Sequence, residues 1–241
     1  MPRPRARPTG TLLIDGMGTL VTLQDPVPRL VAVLRDRFGA EVSAAEARRA
    51  LGAEIAHYRV HMQEGRDAAG LARLRRRCAQ VLRDALPPHP ALDSADPTEM
   101  TEALLAALHF AAFPDARPGL ARIRAAGGRV IVVSNWDVSL IDVLERAGLA
   151  ALTDAIVTSA AVGARKPERA IFDHALALAA TTADDPRLVH VGDSVTEDVA
   201  GAQARGIRPV LVDRDGTRWG DAPAGVSVIA DLAGLRWPPV S

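Results

Sequence analysis

The sequence predicts an α/β fold, a doubly wound parallel sheet interrupted by an all-helical insertion. Short apolar runs at Leu12–Ile14, Val130–Val133 and Leu188–Val191 each end in polar residues or glycine, as strands buried on both faces do. Helix-length segments alternate with these runs in the second half of the chain, the pattern of parallel strands joined by helices. From residue 24 to 113 the alternation stops, and only helical periodicity is left. With 241 residues, 48% of them hydrophobic, the chain is long and apolar enough for a core plus one inserted smaller domain.

In chain order, residues 1–10 open with Pro2-Arg3-Pro4-Arg5-Ala6-Arg7-Pro8, basic and proline-rich, and read as a disordered tail without the apolar run of a signal peptide. The core takes in 11–23 and 114–241. Its first strand, Thr11–Ile14, runs into Asp15-Gly16-Met17-Gly18-Thr19, where two glycines permit a tight turn. The Thr19 hydroxyl is expected to steady that turn through its backbone neighbours.

The helical domain spans 24–113. Pro26 and Pro28 open a helix that closes at Phe38-Gly39. Ser43 with Glu46 forms a capping box for a second, to about His61. A third, from Ala68 to Leu86, carries Leu71, Leu74, Cys78, Val81 and Leu82 at helical spacing, with Arg73, Arg75, Arg76 and Arg77 on its solvated face. Prolines end it, 91–97 is a loop, and Thr98 to Phe113 is a fourth helix; no strand is expected here.

Beyond Pro118 a short helix ends at Gly127-Gly128, and a strand runs from Arg129 to Val133. Helix Val138–Ala147, strand Ala155–Thr158, helix Ile171–Ala179 and strand Leu188–Val191 follow. Helix Glu197–Arg205 and strands Pro209–Val212 and Val226–Ile229 complete the core.

Composition narrows the function. A formal net charge of +0 argues against nucleic-acid or anionic-membrane binding, and no segment is long enough for a membrane span. A single cysteine, Cys78, excludes an intramolecular disulfide, so the expected compartment is the cytoplasm.

Chemistry gathers at the strand ends. Parallel strands bring Asp15, Ser134-Asn135, and Asp193 with Asp198 to one sheet edge, where ligands of such folds bind. Asp15 and Asp193 offer the hard oxygens that Mg²⁺ selects. Ser134 offers a hydroxyl to a phosphate oxygen. Lys166, the only lysine in a chain that uses arginine everywhere else, offers a compact positive charge. In that order these groups describe phosphoryl transfer through an aspartyl phosphate.

The arrangement resembles the haloacid dehalogenase-like hydrolase superfamily, in the branch with a helical cap between the first and second motifs. Asp15-Gly16-Met17-Gly18-Thr19-Leu20 is similar to the first motif, Ser134-Asn135 to the second and Lys166-Pro167 to the third. Gly192-Asp193-Ser194-Val195-Thr196-Glu197-Asp198 is similar to the fourth, the match running from 11 to 213. The resemblance implies a Rossmann-like core under a cap and a small-molecule substrate. It makes Asp15 the nucleophile; Ser134, Asn135, Thr19 and Lys166 bind the transferred group. Mg²⁺ is held by Asp15, Asp193 and the Met17 backbone carbonyl, and Asp198 orients the metal's water shell or binds Lys166.

One departure stands out. Phosphatases of the family carry a second aspartate two residues after the nucleophile, as general acid; here that residue is Met17, which donates no proton. Three readings follow: a Mg²⁺-dependent phosphatase, a carbon–halogen hydrolase working through an aspartyl ester, or a non-catalytic protein binding a phosphorylated ligand. Phosphonate cleavage through a cap lysine is excluded, because the helical domain has no lysine.

Within that domain Tyr58, Arg59 and Arg66 are the candidates for substrate contacts. His57 and His61 share a helical face but lack a third metal ligand. Asp137 is expected to cap the helix at Val138 and is the alternative acid. Trp136 either packs or lines the pocket, and Cys78 reads as core.

Overall fold

The computed structural model describes residues 8–217 and 220–239. Its strands are β1 (Thr11–Ile14), β2 (Val21–Leu23), β3 (Phe110–Ala112), β4 (Arg129–Ser134), β5 (Ala155–Thr158), β6 (Leu188–Gly192), β7 (Arg208–Val212) and β8 (Ser227–Ile229). Six form one sheet in the order β5-β4-β1-β6-β7-β8, all pairs parallel, and β2 with β3 forms a separate two-stranded ribbon. Ile14 lies level with Val132 on one side and Val191 on the other. Asp15, Ser134 and Asp193 therefore leave the same sheet edge within two residues of one another's level.

The helices are α1 (Pro26–Phe38), α2 (Ala44–His61), α3 (Ala68–Ala85), α4 (Pro90–Asp93), α5 (Pro97–Ala107), α6 (Ala116–Ala125), α7 (Leu140–Arg146), α8 (Ser159–Val162), α9 (Arg169–Ala179) and α10 (Ala200–Ala204). The capping box of Ser43 and Glu46 is formed at the start of α2, and Gly39 closes α1 at φ 64°, where a side chain would be strained. No described helix is long and apolar enough to cross a membrane.

The chain divides into two compact units, one of Met1–Thr22, Ala112–Asn135 and Leu140–Ser241, the other of Leu23–Ala111 and Trp136–Ser139. The first, the core unit, holds the six-stranded sheet with helices on both faces. Leu13, Ile131, Val133 and Val157 pack there with Ile171, Phe172, Ala175 and Leu176 of α9. The second, the helical unit, has its own interior of Leu30, Leu34, Ala47, Leu51, Leu74, Leu82 and Leu104.

Several elements differ from the sequence expectation. The fourth helix of the insertion ends at Ala107, and Phe110–Ala112 is a strand because pairing with β2 gives its backbone the partners a helix would otherwise supply. Within the expected 91–97 loop, α4 makes one turn, the His89 ring accepting from the Ala91 amide at 3.3 Å. The helix expected from Val138 begins at Leu140, since the Val138 amide instead donates to the Gly65 carbonyl at 3.0 Å. The helix expected over Glu197–Arg205 is a π-helical turn, Val195–Val199, followed by α10. Of the expected disordered tail, Thr9 is tied down by bonds to the carbonyls of Gly127 (3.1 Å) and Ala126 (2.8 Å). Residues 1–7 lie outside the described residues.

Candidate active site

The first wall of the site is the turn after β1. The Asp15 amide continues the sheet by donating to the Val191 carbonyl at 2.9 Å. The chain then doubles back, with the Leu20 and Val21 amides both donating to the Gly16 carbonyl, at 2.8 and 2.9 Å. Gly18 stands at φ 78°, and a β-carbon there would overlap the Asp193 carboxylate. Glycine is thus required twice over, by its backbone angle and by the close approach. Met17 is 39% exposed in this turn. Thr19 is fully buried, and among the described residues its hydroxyl has no partner, so it does not make the bond expected to steady the turn.

Lys166 is the centre of the buried charge. Its ammonium lies 2.6 Å from Asp15 Oδ1 and 2.6 Å from Asp198 Oδ1, and the side chain is 1% exposed. Asn135 fixes the backbone that delivers it: Oδ1 accepts from the Lys166 amide at 2.7 Å and Nδ2 donates to the Lys166 carbonyl at 3.0 Å. Asn135 therefore supports the lysine with both ends of its amide. Ser134 Oγ donates to Asp15 Oδ1 at 3.0 Å.

Asp198 reaches Lys166 from the π-helical turn, a distortion that often marks functional sites. It also meets His190 Nε2 at 2.8 Å and accepts from the Ser194 amide on Oδ2 at 3.1 Å. The His190 ring is buried edge-on to Phe172, with centroids 5.2 Å apart.

These contacts divide the charge unevenly. Burial would raise the Asp198 pKa, but Lys166 and His190 outweigh it and hold this carboxyl well below the usual range. Asp15 shares the same ammonium with fewer donors. Its burial prevails over the attraction of Lys166, the carboxylates of Asp198 and Asp193 add to it, and its pKa is raised to about 7. Lys166, despite its burial, is held charged by the two aspartates, and burial keeps His190 toward its neutral form.

Asp193 completes the cluster. One oxygen from each of Asp15, Asp193 and Asp198 lies within 4.8 Å of the others. Three carboxyl groups thus come together beside the Lys166 ammonium that pairs with two of them, and hard oxygens of this kind are the ligands a divalent cation such as Mg²⁺ takes. Asp198 already spends both oxygens on Lys166, His190 and Ser194, so Asp15 and Asp193 are the members of the cluster that could hold a cation.

The remaining candidates belong to the helical unit. Tyr58 donates to Asp137 Oδ2 at 2.9 Å and the Ser139 amide donates to Asp137 Oδ1 at 2.7 Å. Asp137 is thus buried as a doubly satisfied acceptor in a tight turn, two residues short of the helix it was expected to cap. Trp136 packs against Phe110, with ring centroids 5.0 Å apart. Arg59 and Arg66 are exposed. His57 and His61 stack at 4.3 Å but join no three-ligand group among the described residues. Cys78 is buried in the core of this unit.

Sequence reasoning missed two residues of the site's surroundings. His190 was legible as a polar interruption in the run Leu188-Val189-His190-Val191. Arg214, two residues past the end of β7, gave no signal among so many arginines. It binds the carbonyls of Gly18 and Thr19 in the turn after β1.

A family model described as haloacid dehalogenase-like hydrolase matches residues 9–206. "Haloacid dehalogenase-like hydrolase domain-containing protein 3" of Bos taurus is 42% identical over 90 residues, 37% of this chain and 35% of the relative. "Phosphatase MT3486" of Mycobacterium tuberculosis is 37% identical over 127 residues, 51% of this chain and 54% of the relative. The matched segments thus span between about a third and about a half of these curated relatives. Among solved structures, a 2-haloacid dehalogenase from Pseudomonas syringae pv. Tomato DC3000 superposes with a TM-score of 0.62 at 25% identity, covering 93% of this chain and 95% of its own.

Proposed function

The chain belongs to the haloacid dehalogenase-like hydrolases, and from that premise we propose that it is a Mg²⁺-dependent phosphatase of a small phosphorylated molecule. The observation that carries the reading is the cluster itself, in which Asp15 and Asp198 share one buried ammonium and Asp193 stands within ligand distance of both, at the edge of a parallel sheet. Such an edge suits a reaction that brings in both a cation and an anion.

In this reading an oxygen of Asp15 attacks phosphorus and the bond from phosphorus to the leaving oxygen breaks, leaving an aspartyl phosphate. Lys166 and Ser134 neutralise and orient the phosphoryl oxygens, while Asn135 and Asp198 hold Lys166 in register. Asp198 acts as support for the lysine, and Asp15, Asp193 and the Met17 carbonyl are the oxygen donors for Mg²⁺. When bound, that ion supplies positive charge against the oxygens of the transferred group. Water then attacks phosphorus, the bond to Asp15 breaks, and inorganic phosphate leaves with Asp15 restored.

The leaving oxygen needs a proton, and Met17 has none to give. Activated esters such as p-nitrophenyl phosphate, and acyl phosphates, are therefore the favoured substrates, ahead of alkyl phosphates. Met17→Asp is expected to raise kcat/KM for an alkyl phosphate relative to an aryl phosphate, by up to about 10²-fold, the lower part of the range for general acid catalysis. An unchanged ratio, with both rates already high in the wild type, would show that the proton comes from elsewhere.

A second reading is favoured by the same methionine, since hydrolysis of a carbon–halogen bond through Asp15 releases halide and needs no acid at the leaving group. The curated relative named a phosphatase supports the first reading, and the structural neighbour named a dehalogenase supports the second. A panel of phosphate esters and 2-haloacids, each with Mg²⁺ and with chelator, separates them. Phosphate release abolished by chelation is the expected result; chelator-resistant halide release would establish the second reading. No turnover in any arm, with phosphate-ester binding retained, would instead favour a non-catalytic binder.

A further inference from the structure

Arg214 leaves the carboxyl end of β7 and spends its whole guanidinium on the core unit. Nε donates to the Gly18 carbonyl at 3.2 Å and Nη2 to the Thr19 carbonyl at 2.6 Å. Nη1 and Nη2 also grip the two oxygens of Asp115, at 2.8 and 3.1 Å, and the guanidinium carbon lies 3.7 Å from the centroid of the Phe113 ring. Asp115 is itself anchored by the Leu232 amide, which donates to its Oδ2 at 2.8 Å. The cation is therefore fixed in plane and in rotation by two carbonyls, a carboxylate and an aromatic face.

What it fixes is the turn after Asp15. The side chains of that turn offer little polar purchase: Gly16 and Gly18 have none, Met17 is exposed, and the Thr19 hydroxyl is unpartnered among the described residues, while Leu20 is buried. Beyond Arg214, the Phe113 amide donates to the Leu20 carbonyl at 3.0 Å, and the turn's remaining backbone bonds lie within Gly16–Val21. Gly18 in turn lies against the Asp193 carboxylate, so a shift of its backbone reaches two sides of the acidic cluster at once.

We propose that Arg214 is a positioning residue for the reaction, the anchor that holds the Gly16–Leu20 turn, and with it Asp15 and Asp193, in working geometry. The inference rests on Asp15 being the reacting carboxylate. Lysine cannot replace it. A single ammonium keeps the charge of the Asp115 pair but has no planar fork with which to serve two carbonyls and two carboxylate oxygens together.

The test compares wild type, Arg214→Lys and Arg214→Gln in three measurements. These are kcat and KM for p-nitrophenyl phosphate at saturating Mg²⁺, calorimetric titration with Mg²⁺ alone, and hydrogen exchange at the Leu20 and Val21 amides. Arg214→Lys is expected to lower kcat by about 10-fold or more, since displacements of an ångström at a reacting group cost up to about 10²-fold, while KM holds. Weaker Mg²⁺ binding and faster exchange at both amides should accompany it, and Arg214→Gln should exaggerate each change. Should the glutamine variant fail to fold, the lysine variant alone decides. A lower thermal midpoint with wild-type kcat per folded molecule and wild-type exchange at Leu20 and Val21 would overturn the proposal, leaving Arg214 an ordinary stabilising contact. If no form of the protein hydrolyses the ester but exchange is faster in the variants, the phosphatase reading fails and the anchoring stands.

Discussion

In the helical unit the interior is leucine and alanine, from Leu30 and Leu34 to Leu82 and Leu104, while pairs such as Arg37 with Glu102 stand in water. The core unit instead draws a lysine, a histidine and three aspartates, Asp15, Asp198 and Asp213, into its interior at one sheet edge. Both units bury carboxyls, and Glu54 of the helical unit and Asp198 of the core are handled differently. Burial raises the pKa of Glu54 in the helical unit and favours the neutral acid, outweighing the hydrogen bond of Cys78, which lowers it. Asp198 in the core is buried as an anion, because Lys166 and His190 stand against it. Ionised groups taken out of water are expensive unless they are paired and fully bonded. That this cost is met with a lysine at the sheet edge is what singles the edge out as the proposed site of chemistry.

The largest expected effect separates chemistry from stability within the core. Asp15→Asn should eliminate measurable turnover while the thermal midpoint stays at or above the wild-type value. The amide removes one of three crowded carboxylates, and Lys166 keeps Asp198. Substantial activity in this variant would rule out a covalent intermediate on Asp15. Lys166→Met should do the reverse to stability, costing about 3–5 kcal/mol by denaturant titration, as expected when one partner of a buried ion pair is lost. A cost below about 1 kcal/mol would mean that the cluster neutralises itself in some other way, and the contrast with the helical unit would lapse.

Glu54 sharpens the contrast from the other side. An acid whose pKa is raised in the folded protein holds its proton more tightly there than in the unfolded chain. Its contribution to stability is therefore full below the unfolded value of 4.5 and is lost as pH rises through the folded value. Wild type should lose stability relative to Glu54→Gln as pH rises above 4.5, and a pH-independent difference between the two would refute neutral burial. Smallest of all, Arg37→Ala, which removes the exposed pair with Glu102 at 3.1 Å, should cost no more than about 1 kcal/mol.

The residues of the site were legible because each ends a buried strand or is chemically solitary. Asp15 closes Leu12–Ile14, Ser134 closes Val130–Val133, Asp193 follows Gly192, and Lys166 has no other lysine to be confused with. Asn135 was legible as a residue but not in its detail, since a sequence cannot show that both ends of its amide are taken by one backbone unit 31 positions away. Arg214 was hidden by the abundance of its own kind. The strand Phe110–Ala112 was hidden because its apolar run continues a helical pattern, and only pairing with β2 decides between the two. Where local preference and long-range pairing agree, the chain can be read; at β3, at the π-helical turn and at Trp136–Ser139 they conflict, and tertiary partners prevail.

The membership of Trp136–Ser139 in the helical unit bears on how modular this protein is. An insertion bounded by residues 23 and 111 looks removable, a cassette to be cut out or exchanged between relatives with the ends rejoined. It is not, because four residues encoded after the return to the core are built into that cassette's own structure. Excision would leave Asp137 without the Tyr58 hydroxyl, Val138 without the Gly65 carbonyl and Trp136 without the Phe110 ring, directly after Ser134 and Asn135. A graft that respects the architecture must carry both segments together, and recombination between homologues should tolerate joints at 22–23 and 111–112 only when 136–139 comes from the same parent.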